Sequence, residues 1–333
     1  MDSIFILTIL IVIFALAFDF INGFHDTANA IATSVSTKAL RPRHAIILAA
    51  VMNFVGAMTF TGVAKTITKD IVDPFTLPNG SIVILAALIA AITWNLITWY
   101  YGIPSSSSHA LIGSIAGAAI AAAGFAELQW GGFLNILAAL IISPILAFVA
   151  GYIVYTIIKT IFRNANLART NRNFRIVQIA TAAVQSYSHG TNDAQKAMGI
   201  ITLALMTNGY LSTHEVPFWV QFACATAMGL GTSVGGWKII KTVGGKIMKI
   251  RPVNGVAADI TGASVIFGAT LIHLPVSTTH VISSSIMGVG TAHRLKGVNW
   301  GTAKNMVITW IITLPISATL AGISYVILSY FMT

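Results

Sequence analysis

Hydrophobic residues in this chain run in long blocks, and the blocks recur at the length that crosses a lipid bilayer. Apolar runs cover about 3–36, 44–64, 81–101, 104–124, 132–158, 176–208, 217–237, 253–273, 274–292 and 303–330. A helix rises about 1.5 Å per residue and the hydrocarbon core is about 30 Å thick, so about 20 apolar residues make one crossing. The pattern predicts an all-α polytopic membrane protein with about ten apolar segments. Runs 3–36 and 176–208 are longer than one crossing and carry Gly and charged residues near their middles. Each is expected to be one helix plus a broken or re-entrant segment. Met1-Asp2-Ser3 offers no positive region ahead of the first run, which reads as a transmembrane helix and not as a cleaved signal.

The two overlong runs are the first and the sixth of the ten, and the chain repeats between them. Gly23-Phe-His-Asp-Thr-Ala-Asn-Ala30 aligns with Gly190-Thr-Asn-Asp-Ala-Gln-Lys-Ala197 at an offset of 167. Pro104-Ser-Ser-Ser-Ser-His109 aligns with Pro275-Val-Ser-Thr-Thr-His280 at an offset of 171. Gly56 to Lys65 weakly echoes Gly231 to Lys241. Two motifs in the same order at nearly the same offset define two homologous halves, 1–158 and 176–333, joined by a basic linker at 159–175. Five crossings per half would make the repeats inverted.

Charge tests that inversion. With the N-terminus outside, the inside loops 38–44, 159–175, 238–252 and 293–304 hold 16 of the 19 basic residues. Lys65 and Lys69 fall outside, and Lys196 falls within the membrane. The positive-inside rule therefore places the linker in the cytoplasm and both termini outside it. Composition agrees: 56% of residues are hydrophobic, 8% are charged, and mean hydropathy is +0.82. So few charges cannot cover a water-soluble fold, which removes soluble enzymes, disordered chains and nucleic-acid binders. The net charge of +10 is a topology signal and not a nucleic-acid footprint. One cysteine, Cys224, allows no intrachain disulfide or cysteine metal cluster.

Candidate chemistry sits where the repeats match. Asp26 and Asp193 are carboxylates at membrane depth, where ionisable groups are expensive and usually functional. Asp26 and Asn29 are i,i+3 neighbours, so their oxygens can converge on a hard cation such as Na⁺. In the second copy Lys196 replaces the amide, and it either neutralises Asp193 or faces an anionic substrate. Ser105, Ser106, Ser107 and Ser108, and Ser277, Thr278 and Thr279, follow a proline that opens an apolar run. Proline prefers a first helical turn, and free N–H groups beside clustered hydroxyls make an anion site without formal positive charge. Ser and Thr also cap or pack membrane helices, but their duplication beside a matched His favours a site. His25, His109, His189 and His280 lie at the motifs as proton relays, anion contacts or hydrogen-bonded core residues. A Ser105–His109 nucleophile and base is disfavoured, because two inverted copies suit one symmetric site; no catalytic residue is assigned. Asp19 and Asp259 are lone acids near run ends.

At these residues the chain resembles a known family. GFHDTANAIATSV (23–35) and SHGTNDAQKA (188–197) resemble the duplicated signature of the PiT family of inorganic phosphate transporters, and the likeness extends over essentially the whole chain. Animal and sodium-coupled members read G-A-N-D-V-A-N-A in both copies. Here His25 stands for the first Asn, and Gln195-Lys196 for Ala-Asn. This variant is similar to the bacterial low-affinity phosphate permeases, regarded as proton-coupled and as carriers of metal–phosphate complexes. The resemblance implies a cation-coupled symporter that imports phosphate across the cytoplasmic (inner) membrane by alternating access, with H⁺ or Na⁺ left open. It implies cation coupling at Asp26, Asn29, Asn192 and Asp193, where Na⁺ would bind. It implies phosphate contact at Ser106, Ser107, Ser108, Ser277, Thr278 and Thr279. It implies no cofactor beyond the coupling cation or a divalent metal carried with phosphate, and a homodimer as the assembly. One branch of the family carries sulfate, the alternative substrate. A channel would need a polar stripe along several helices, and an intramembrane enzyme one asymmetric catalytic set; the two duplicated patches suit neither.

Overall fold

The computed structural model describes residues 3–71 and 79–332, and among these it is built from α-helices with one isolated bridge, Met248 to Val298. The first half holds α1 (Ser3–His25), α2 (Thr27–Ser36), α3 (Pro42–Ala57), α4 (Gly62–Asp70), α5 (Gly80–Tyr101), α6 (Ser107–Ala123) and α7 (Trp130–Ile161). The second holds α8 (Leu167–Thr207), α9 (Phe218–Val234), α10 (Trp237–Lys241), α11 (Pro252–Leu271), α12 (Thr278–His293) and α13 (Trp300–Met332). The Met1 and Thr333 ends lie outside the described residues.

The repeat read from the motifs extends to the connections. A short 3₁₀ turn follows α6 at Phe125–Glu127 and α12 at Leu295–Gly297. Trp130 Nε1 donates to the Phe125 carbonyl at 3.1 Å, and Trp300 Nε1 to that of Leu295 at 3.1 Å. Both α7 and α13 carry an internal proline, Pro144 and Pro315. Among the described residues four spans are long and apolar enough to cross a membrane, 4–36, α5, α7 and α13, and α3 with α4 makes a fifth, bent by 66°.

The two overlong runs behave differently from each other. Residues 3–36 are helical except at Asp26, where bonding slips to the i,i+3 pattern as Asn29 N–H donates to the Asp26 carbonyl at 3.0 Å. The break expected within 176–208 is absent, since α8 is continuous for 41 residues. Two physical reasons account for this. The first turns of α8 carry Arg169, Arg172 and Arg175 and precede the apolar run, so only part of the helix needs to lie in hydrocarbon. The polar residues in its middle find partners on α8 itself and on α3, α11 and α12, so the backbone has no need to unwind.

The halves interlock. Helix α6 packs along α13 and α12 along α7, while α1 packs on α9 and α3 on α8. The repeat-related Gly117 and Gly288 sit at close approaches of α6 to α13 and of α12 to α7. A Cβ there would come within 2.1 Å of the Ala318 carbonyl oxygen and 2.0 Å of that of Phe148. Small residues at such crossings let helix backbones touch, which is how membrane helices gain packing energy without a hydrophobic drive. Two apolar cores result. One gathers Ile11, Phe18, Leu88, Leu111 and Met198; the other gathers Ile31, Ile239, Ile266, Ile286 and Met306. The polar motif residues belong to neither.

Candidate functional site

Asp26 lies at the α1–α2 break and Asp193 in the middle of α8, 2% and 0% exposed. A carboxylate that deep must be paired or hydrogen-bonded. Each has one imidazole and one amide at the same two helical positions, in exchanged order. In the first half Asn22 stands at i−4 and His25 at i−1, with His25 Nδ1 2.7 Å from Asp26 Oδ1. In the second half His189 stands at i−4, its Nε2 3.2 Å from Asp193 Oδ2, and Asn192 stands at i−1.

The two proline-led helix starts close over these carboxylates. Ser107 Oγ donates to Asp26 Oδ2 at 2.5 Å and reaches Asn22 Oδ1 at 3.1 Å. Its counterpart Thr278 donates to Asp193 Oδ2 at 2.9 Å. Thr279 links the halves: its hydroxyl donates to Asp26 Oδ1 at 2.9 Å and accepts from Asn29 Nδ2 at 2.9 Å. Ser108 donates to the Val276 carbonyl at 2.9 Å, which ties the start of α6 to the segment ahead of α12. Ser106 and Ser277 are N-caps that accept from the N–H groups of His109 and His280 at 3.1 and 3.2 Å. Capping fixes both helix starts and leaves the other first-turn N–H groups, those of Ser107, Ser108, Thr278 and Thr279, without intrahelical acceptors. Ser105 donates to Thr98 Oγ1 at 2.7 Å, and Thr98 Oγ1 is 3.1 Å from His25 Nε2, so Ser105 braces the imidazole through Thr98.

Lys196 is 1% exposed and its Nζ donates to Asp193 Oδ1 at 2.5 Å, so of its two sequence-level roles the geometry shows the ion pair. Asn192 is pinned to the connection before α12. Its Nδ2 donates to Thr270 Oγ1 at 3.1 Å and to the Leu274 carbonyl at 3.2 Å, and its Oδ1 accepts from Val276 N–H at 3.3 Å. His109 and His280 face each other with ring centroids 4.5 Å apart, and His280 stacks on Trp310 at 4.1 Å. Both line a groove of about 540 Å³ with Pro144, Phe148 and Trp310.

Several partners escaped the sequence. Asn22 could have been found by extending the repeat alignment outward, because it matches His189. Thr98 and Thr270 carry no repeat signal and join the site only through packing. Asn53 does the same from α3, donating to Thr27 Oγ1 at 2.9 Å and lying 3.0 Å from His189 Nδ1. Asp259 accepts from Thr33 at 2.6 Å and Thr181 at 2.9 Å, away from both motif aspartates in the hydrogen-bond network.

Two buried carboxylates lie under two hydroxyl-bearing helix starts, in interlocked halves of membrane-length helices. Residues 22–321 match the model of the phosphate transporter family, and the chain belongs to that family. It is a transporter and not an enzyme. It is 80% identical to a probable low-affinity inorganic phosphate transporter of Bacillus subtilis, over 99% of each chain. It is 46% identical to a protein of the same description from Rhizobium meliloti, over 93% of each. A solved structure, the sodium-dependent phosphate transporter, superposes with a TM-score of 0.86 at 26% identity, covering 98% of this chain and 100% of that one.

Proposed function

We propose that the chain is a symporter that imports inorganic phosphate across the cytoplasmic membrane by alternating access, coupled to Na⁺ or H⁺. One observation carries this reading: the hydroxyls placed to meet an anion already donate to the motif carboxylates, Ser107 and Thr279 to Asp26 and Thr278 to Asp193. An anion must take those hydroxyls from the carboxylates, and a carboxylate without a cation repels it. Like unit charges 4 Å apart cost about 4 kcal/mol at an effective dielectric of 20. A cation on the carboxylate removes the repulsion, so anion and cation bind with mutual, reciprocal assistance. The N-terminal ends of α6 and α12 add N–H donors and positive dipole ends, as in other carriers with a midplane anion site. The sodium-dependent solved relative supports Na⁺; the imidazole of His25, 2.7 Å from Asp26, supports H⁺. In this reading loops 38–44, 159–175, 238–252 and 293–304 lie in the cytoplasm and both termini outside, which the clustering of basic residues in those loops supports.

Radiolabelled phosphate uptake into proteoliposomes tests this, with a Na⁺ gradient and a pH gradient imposed separately. Concentrative uptake is expected under one of them, and Asp26→Asn should abolish it while the protein elutes as a folded species. Failure of both gradients to drive uptake, or undiminished accumulation by Asp26→Asn, overturns the reading.

A further inference from the structure

The two carboxylate positions share a helix-start hydroxyl, an imidazole and an amide, and differ in charge. Around Asp26 the facing groups are His25, Ser107, Thr279 and, through Thr279, Asn29. Around Asp193 they are His189, Thr278 and Lys196. Ser107 and Thr278 correspond, while Thr279 also reaches Asp26 and its counterpart Ser108 donates to the Val276 carbonyl; the imidazole–amide pairs correspond with their order exchanged. The position three residues after each aspartate does not correspond in charge: it is Asn29 in one half and Lys196 in the other. Lys196 is buried and its ammonium is in contact with Asp193 Oδ1. Burying either group without the other is costly, so each holds the other in place.

We infer that Lys196 is a tethered cation, which takes the place of one mobile coupling ion at Asp193 and leaves Asp26 as the carboxylate that must recruit a cation from solution. This rests on the symport reading above and assigns the two halves unequal work. A primary ammonium and Na⁺ satisfy a carboxylate through the same charge, but the ammonium travels with the protein and is never released. Phosphate therefore meets a neutral pair in the second half at no ionic cost, and the gradient is drawn on only through Asp26. The nearby Asp19 is the other carboxylate that Lys196 acts on, but no hydrogen bond joins them, and its counterpart in the repeat is Ser186.

The test measures coupling stoichiometry in proteoliposomes, from the cation gradient that just balances an opposing phosphate gradient. Na⁺ or H⁺ is used according to which drives the wild type. Lys196→Asn, which restores the residue of the first half, should raise the cation-to-phosphate ratio by one and steepen the cation dependence of uptake. Lys196→Gln drops the charge but keeps more of the length than Asn and a hydrogen-bond donor, and should act the same way if Lys196→Asn folds poorly. Lys196→Arg should retain the wild-type ratio. In the reciprocal variant, Asn29→Lys, uptake should no longer respond to the cation gradient. An unchanged ratio in folded Lys196→Asn or Lys196→Gln overturns the inference. So does a loss of phosphate binding at unchanged ratio, which would make Lys196 an anion anchor. Absence of cation-driven uptake in the wild type would instead refute the symport reading itself.

Discussion

Thr279→Val isolates a side chain that joins both halves at Asp26. Valine keeps the β-branch and nearly the volume, so the change removes a hydroxyl and little else. Two hydrogen bonds go with it, the donation to Asp26 and the acceptance from Asn29, both at 2.9 Å. In a water-soluble core a bond to a charged group is worth about 1.5–3 kcal/mol and a neutral one about 0.5–1.5. Between membrane helices such bonds average about 0.6 kcal/mol and reach about 1.7, because the unfolded chain in the bilayer finds other partners. The stability loss should therefore be modest, about 1–2 kcal/mol. That discount does not apply to substrate binding, where both reference states are folded. Once a cation neutralises Asp26, the hydroxyl trades a bond of about 0.5–1.5 kcal/mol for one of about 1.5–3 to a phosphate oxygen. The difference of about 1.4 kcal/mol corresponds to roughly tenfold in apparent affinity. Thr279→Val should thus raise the apparent KM for phosphate about tenfold, with a parallel loss in cation affinity, and Thr279→Ser should restore both. Uptake measured against phosphate at fixed cation, and against cation at fixed phosphate, reads the two effects. A folded Thr279→Val protein with wild-type KM for both ligands would show that the hydroxyl contacts neither.

Two further outcomes test the frame around the site. Gly117→Ala and Gly288→Ala each drive a Cβ into a carbonyl oxygen of the paired helix, so each should lower thermal stability by about 1–3 kcal/mol; Gly131→Ala, with nothing within 4 Å of its Cβ, should be neutral. Equal stability of all three variants would mean that the α6–α13 and α12–α7 contacts are looser than described. Single cysteines at Lys38 and Lys241, in a Cys224→Ala background, should resist an impermeant thiol reagent applied to intact cells, while one at Phe331 should react; strong outside labelling at position 241 rules out the inverted topology.

Much of the architecture was legible because a bilayer imposes length and charge rules on the chain itself. Run length, the clustering of basic residues and the doubled motifs are local properties, so the helical membrane class, the repeat and the two aspartates could be read without knowing any contact. The hydroxyl-bearing helix starts were legible for the same reason, since proline and capping residues act within one turn. The integrity of α8 was not. Whether a helix breaks at a polar patch depends on partners, and those of Asp193 come from the start of α12 as well as from its own helix.

What the sequence determined by itself is therefore the set of parts: two halves, two carboxylates, two capped helix starts, and a lysine where symmetry would place an amide. Tertiary structure decided which part serves which. It brought Thr279 across 253 residues to Asp26, joined Ser108 to the segment before α12, turned Lys196 onto Asp193, and set His109 against His280. Hydrogen bonds and ion pairs act over about 3 Å. Which groups come that close is fixed by how interlocked helices pack, and periodicity along one strand of sequence carries no information about the helix lying beside it.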